Sequence, residues 1–220
     1  MKRFFVNQLV IAALMVSAAF VSSCNKDDDD TAASGAFDGV ITAQVEGGAE
    51  FSTFVKRVQA VAIGSEQVSL GSGTYAANGS FSITLEPPPT SILNLLVPPD
   101  GISISDKSAK INTEIEIGAY SSSTGEFKDE DIVGWFGYGK MSADGKSATL
   151  MRFWYADRNV TVKGSNKETY EDGNTTTLEF NIELKQGWNR VYHTWKVTQS
   201  DDYSEYTTNS VDGLKWIFAE

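Results

Sequence analysis

The sequence predicts an all-β protein built as an antiparallel β-sandwich, and three observations carry that expectation. Beyond residue 36 nearly every segment alternates apolar and polar residues with period two. Asx-Gly pairs punctuate these segments at short intervals: Asn78-Gly79, Asp100-Gly101, Asp144-Gly145, Asp172-Gly173 and Asp212-Gly213. No segment in the same region carries an apolar stripe at helical spacing over ten or more positions, so many short strands are the only regular structure expected.

In chain order, strands are expected around residues 39–45, 54–63, 80–86, 92–97, 111–120, 133–138, 148–155, 160–163, 178–184, 188–197 and 214–218. Three show the pattern most clearly. Phe81, Ile83 and Leu85 alternate with Ser82 and Thr84. Ile111, Thr113, Ile115 and Ile117 alternate with Asn112, Glu114 and Glu116. Leu178, Phe180, Ile182 and Leu184 alternate with Glu179, Asn181 and Glu183. Each is the signature of a strand with one buried face. Pro87-Pro88-Pro89 and Pro98-Pro99 mark either a join between two packed sandwich halves near residue 100 or protected edges within a single ectodomain over 36–220.

Residues 1–23 read as a cleavable export leader. Lys2 and Arg3 precede an apolar run from Leu9 to Phe20, which is shorter than the roughly 20 apolar residues of a spanning helix, and Ser22 and Ser23 are small residues at the cut. Val21-Ser22-Ser23-Cys24 resembles the lipobox of bacterial lipoproteins, and the resemblance implies acylation of Cys24, a partnership with outer-membrane lipid worth about 0.8 kcal/mol per buried CH₂. The following Asn25-Lys26-Asp27-Asp28-Asp29-Asp30 resembles the acidic tract of surface-displayed Bacteroidetes lipoproteins. Residues 24–35 are thus expected to form a lipidated acidic tether reaching about 40 Å, on an outer-membrane protein facing the cell exterior. Cys24 is the single cysteine, which excludes an internal disulfide. Removal of the leader leaves 16 Lys and Arg against 29 Asp and Glu, a net charge near −13 that argues against nucleic acid as a partner.

Two further resemblances concern the body. Gly73-x-Tyr75 with Gly79-x-Phe81-x-Ile83 resembles transthyretin-like sandwiches, the immunoglobulin-like arrangement being the other form expected. Tyr155-Ala156-Asp157, Val160-Thr161-Val162-Lys163-Gly164, Leu184-Lys185-Gln186-Gly187-Trp188-Asn189-Arg190-Val191-Tyr192 and Gly213-Leu214-Lys215-Trp216 are similar to an uncharacterised group of Bacteroidetes lipoproteins. That similarity implies a class and an address and carries over no catalytic residue.

The candidate site rests on a hairpin. If Gln186-Gly187 is a two-residue turn, Lys185 opposes Trp188, Glu183 opposes Arg190, Ile182 opposes Val191, Phe180 opposes His193 and Leu178 opposes Trp195. Trp188 and Tyr192 then point outward with Asn181, Glu183 and Arg190, a surface suited to a sugar ring or a protein partner. Coverage by another strand, such as the one carrying Trp216, is the competing expectation. All five tryptophans (Trp135, Trp154, Trp188, Trp195 and Trp216) fall in the C-terminal half.

Catalytic inventory is thin. The only histidine, His193, is expected in the core. With Cys24 lipidated, cysteine nucleophiles and zinc sites lack ligands. No Gly-x-Ser-x-Gly elbow occurs. The acidic stretches Lys128-Asp129-Glu130-Asp131, Glu171-Asp172-Gly173-Asn174 and Asp201-Asp202 could offer oxygen ligands to calcium, but none has EF-hand spacing, and solvated turns are the stronger reading. The expectation is a non-enzymatic lipoprotein, without cofactor or metal, that binds a glycan or another envelope component through its aromatic C-terminal half. The alternative is a structural or adhesive surface protein acting by protein–protein association through its edge strands.

Overall fold

A computed structural model describes residues 35–63, 67–123 and 128–220 of the chain. The expected leader 1–23, the expected lipidation site Cys24 and the acidic tract 25–30 lie outside the described residues. Fifteen strands follow in order: β1 (Val40–Gln44), β2 (Arg57–Ala62), β3 (Val68–Thr74), β4 (Ser80–Thr84), β5 (Asn94–Leu95), β6 (Ile102–Ile104), β7 (Lys110–Asn112), β8 (Ile115–Tyr120), β9 (Ile132–Met141), β10 (Ser147–Ala156), β11 (Val160–Thr169), β12 (Thr175–Leu184), β13 (Gly187–Val197), β14 (Asp201–Thr207) and β15 (Lys215–Ala219). The all-β sandwich expected from periodicity is the fold. The five Asx-Gly turns are also there, each glycine having φ between 69° and 84°.

The large sheet runs β3-β2-β8-β9-β10-β13-β14-β12-β11-β6, and β1 with β4 forms a separate ribbon. Strand β9 is the branch point. One of its edges pairs first with β8 and then with β10, while its opposite edge holds β15. Alternation along β10 and β13 divides the core between the two faces of the sheet. Phe153 and Trp188 join Ile41, Ala43, Phe81, Ile83, Phe136 and Trp216 beneath the ribbon. Trp154 and Val191 join Ile111, Val162 and Ile182 on the other face. Full burial of Ile41, Val45, Phe81 and Ile83 at about 1.5–3 kcal/mol each holds the ribbon on the sheet.

The hairpin expected at Gln186-Gly187 does not form. Strand β14 lies between β12 and β13, antiparallel to β13 and parallel to β12, so the chain crosses over a neighbour instead of folding back on itself. Ile182 opposes Val162, not Val191, and Leu178 has Asn166 on one side and Ser204 on the other, not Trp195. Glu183 opposes Thr161 and bonds Lys163 at 2.7 Å, not Arg190. Tyr206 stands between Phe180 and His193.

The turn is instead stitched by Asn189, which is wholly buried. Its Oδ1 accepts from the Lys185 N–H at 2.9 Å, and its Nδ2 donates to the carbonyls of Lys185 (2.8 Å) and Gly187 (2.9 Å). Asn189→Ala removes three hydrogen bonds from partly buried backbone groups and leaves a small buried void, and should cost about 2–4 kcal/mol in urea denaturation. A loss under about 1 kcal/mol would mean that the neighbouring strands, rather than this side chain, fix the turn.

Candidate functional site

A substantial concavity is made by the way β1 crosses the sheet. Before β1, the Phe37 N–H donates to the Trp188 carbonyl at 3.1 Å and Ala36 bridges to Asn189, which ties the chain to the edge of β13. After β1, the Glu46 N–H donates to the Trp216 carbonyl at 3.0 Å and Val45 bridges to Trp216, which ties it to β15. Between these anchors β1 passes over β13, β10, β9 and β15 and pairs only with β4. Leu85 N–H donates to the Gly39 carbonyl and Val45 N–H to the Gly79 carbonyl, so odd positions face β4. By antiparallel alternation Thr42 and Gln44 turn their backbone N–H and C=O the other way, along the open edge.

That open edge walls a cleft of about 550 Å³. Its floor is a single register row across four strands: Tyr192 on β13 opposes Met151 on β10, Met151 opposes Tyr138 on β9, and Tyr138 opposes Trp216 on β15. Three inter-strand spacings make the row about 14 Å long. The Tyr138 and Trp216 rings lie 5.4 Å apart. Phe153 and Arg190, partners in the adjacent row, line the β13 end, and a Lys215–Glu46 ion pair of 2.6 Å closes the β15 end. Burial pushes the Tyr192 phenol above its ordinary value, with the charge of Arg190 opposing the shift and Tyr138 adding to it. The cleft therefore offers an apolar, aromatic floor, phenol and amide hydrogen-bonding groups, backbone donors and acceptors, and a cation.

The residues expected to share an outward face are divided by this arrangement. Tyr192 and Arg190 line the cleft. Trp188 is 6% exposed, packed edge-to-face on Tyr155 at 5.2 Å, with its indole against Gly39, so the outward Trp188 is corrected to a core residue. The expected outward Tyr192 is likewise only 8% exposed at the cleft floor. Asn181 and Glu183 lie on β12, outside the cleft, with Glu183 engaged by Lys163. Tyr138, Met151, Thr42 and Gln44 are cleft residues that no local pattern singled out. Trp216 stood within a noted motif and serves the floor.

His193 is partly buried and stacked on Tyr206 at 4.2 Å and 3°, with Trp195 at 5.5 Å on the same face of the sheet. Its Nε2 has Ser204 Oγ at 3.4 Å. Burial, aided by Arg152, drives its pKa down to about 4, which leaves a neutral, weakly basic ring at pH 7. The acidic stretches at 171–174 and 201–202 meet at one end of the sheet, lining a second cleft of about 320 Å³. There Asp201 accepts from the hydroxyls of Thr175 and Ser200, which lowers its pKa. Among the described residues no three His, Cys, Asp or Glu side chains converge in a metal-binding arrangement, and no helix is long and apolar enough to cross a membrane. Comparisons of the chain with protein-family models, with curated proteins and with solved structures find no match.

Proposed function

We propose that this chain is an exported, lipid-anchored envelope protein that binds a short run of glycan in the cleft beneath β1 and performs no chemistry on it. The observation that carries the reading is the Tyr192–Met151–Tyr138–Trp216 row lying under an open strand edge. An apolar floor suits the C–H face of a sugar, and Thr42, Gln44 and the two phenols can meet its hydroxyls. The leader and the Val21-Ser22-Ser23-Cys24 motif support the address. The test is a glycan-array screen of the detergent-purified full chain beside Tyr138→Ala, a variant that removes a partly buried ring from the floor and is first shown by thermal melting to be folded. Binding that falls at least tenfold in the variant is the expected result; an array on which the native chain retains nothing would overturn the reading.

A second reading has its own support. The edge of β1, Val-Ile-Thr-Ala-Gln, is uncharged and lacks the lysine or proline that commonly guards such edges. An adhesive protein could take a partner's strand there. Thr42→Pro removes an N–H from the open edge only, so association lost in this variant would favour that version.

A further inference from the structure

We infer that the glycan bound in this cleft is acidic, and that Arg190 receives its carboxylate or sulfate. The inference rests on the glycan reading and adds the ligand's charge. Arg190 stands at the β13 end of the floor with its guanidinium over the Phe37 ring at 4.7 Å, and Phe37 is in turn backed by Phe153 at 5.5 Å. Its backbone N–H is bonded to the Gly35 carbonyl, so both ends of the residue are positioned. A guanidinium seated over an aromatic ring still has N–H groups with which to grip a planar carboxylate or a sulfate with two bonds.

What distinguishes the residue within the cleft is that the one acid of the lining, Glu46, is taken by Lys215. Acidic residues far outnumber basic ones in this chain, and at the far end of the same cleft Lys215 is neutralised by Glu46. Among the described residues no carboxylate lies within 4 Å of Arg190. The cleft thus presents one neutralised end and one positive end, with neutral hydrogen-bonding groups between. A linear oligosaccharide carrying an anionic substituent matches that sequence of groups, its rings over Met151 and Tyr138 and its acid at Arg190.

The experiment titrates the detergent-purified full chain calorimetrically with an oligogalacturonide (carboxylates), a chondroitin sulfate oligosaccharide (sulfates and carboxylates), neutral cello- and malto-oligosaccharides, and an acidic pentapeptide. Each titration is repeated with Arg190→Gln and Arg190→Lys, after thermal melting shows them folded. The expected result is binding of one or both acidic oligosaccharides, weakened tenfold or more by Arg190→Gln and partly recovered by Arg190→Lys, with neutral oligosaccharides at least tenfold weaker. Equal binding of neutral sugars, or acidic binding indifferent to Arg190→Gln, would overturn the acidic assignment while the glycan reading stands. Binding of the pentapeptide alone, abolished by Thr42→Pro, would overturn both in favour of strand addition. Absence of binding by every oligosaccharide would also overturn both.

Discussion

Gly79→Ala should lower the melting temperature by about 10 °C and open the cleft, although it adds a single methyl group. Gly79 closes the turn before β4 at φ +82°, a left-handed conformation that costs an alanine about 1–2 kcal/mol. A Cβ there would also stand 2.5 Å from the Gly48 carbonyl carbon, 2.6 Å from its Cα and 2.8 Å from the Ala49 nitrogen. These are backbone atoms, so the ribbon must shift, at a further cost of about 1–3 kcal/mol. The shift falls where it matters: the Gly79 carbonyl accepts the Val45 N–H, and Val45 is where β1 meets β15. The Tyr75 hydroxyl, bonded to the Gly48 carbonyl at 2.8 Å with its pKa pushed up to about 12 by burial, would be displaced as well. Gly145→Ala is the control, because φ is +69° there and nothing lies within 4 Å of the new carbon. Calorimetric melting of both variants separates conformational strain from collision. Equal losses would mean that the Gly48 contact relaxes without cost and that the ribbon is softer than its packing implies.

The same contrast between local and distant causes decides what could be read from the sequence. Strands β4, β9, β10, β12, β13 and β15 announce themselves because their own side chains alternate, and the Asx-Gly turns because their chemistry is local. Strand β3 was missed, since Val-Ser-Leu-Gly-Ser-Gly-Thr offers two glycines and two serines where a strand should show apolar periodicity; its burial comes from lying between β2 and the ribbon. Strand β14 was missed for a related reason. Asp-Asp-Tyr-Ser-Glu-Tyr-Thr reads as an acidic turn with loose aromatics, yet it is paired on both edges. That one omission produced the wrong hairpin, because β12 and β13 are neighbours in sequence and only β14 keeps them from being neighbours in space. The 111–120 run was correctly extended but breaks into β7 and β8, which serve different partners. For the cleft, Tyr192 and Arg190 were found for a reason that failed, namely an outward face that does not exist. Tyr192 belongs to a register row whose members sit on four strands joined by long-range pairing, Arg190 stands in the row beside it, and no local spacing encodes such rows.

The pH dependence of stability between pH 6.5 and 4 should change when His193 is replaced, and this is the other large effect expected. Burial holds its pKa near 4, well under the ordinary value of 6.5, so the unfolded chain binds the proton first as the solution is acidified. A group depressed in the fold contributes its full stability above pH 6.5 and loses it progressively as pH falls toward 4. Two and a half pH units correspond to a ceiling of about 3 kcal/mol, reduced by whatever solvent reaches the partly buried ring. The groups facing the imidazole are Tyr206, Ser204, Trp195 and Arg152. Asp106, Asp157, Glu183 and Asp201 are all lowered in the fold by hydrogen bonds or paired cations, so each begins to withdraw stability as pH falls through its ordinary value, equally in the native chain and the variant. Glu116 is raised by burial and acts in the opposite sense, but it does so whichever residue stands at position 193. His193→Phe keeps a flat ring in the stack between Phe180–Tyr206 and Trp195 and removes the proton. Urea titrations at pH 7, 6, 5 and 4.5 should therefore show the native chain losing more stability along the series than the phenylalanine variant, with the gap between them widening as pH falls. Parallel curves would mean that the imidazole takes up its proton in place, and that the stack opens to water more readily than its 4.2 Å spacing suggests.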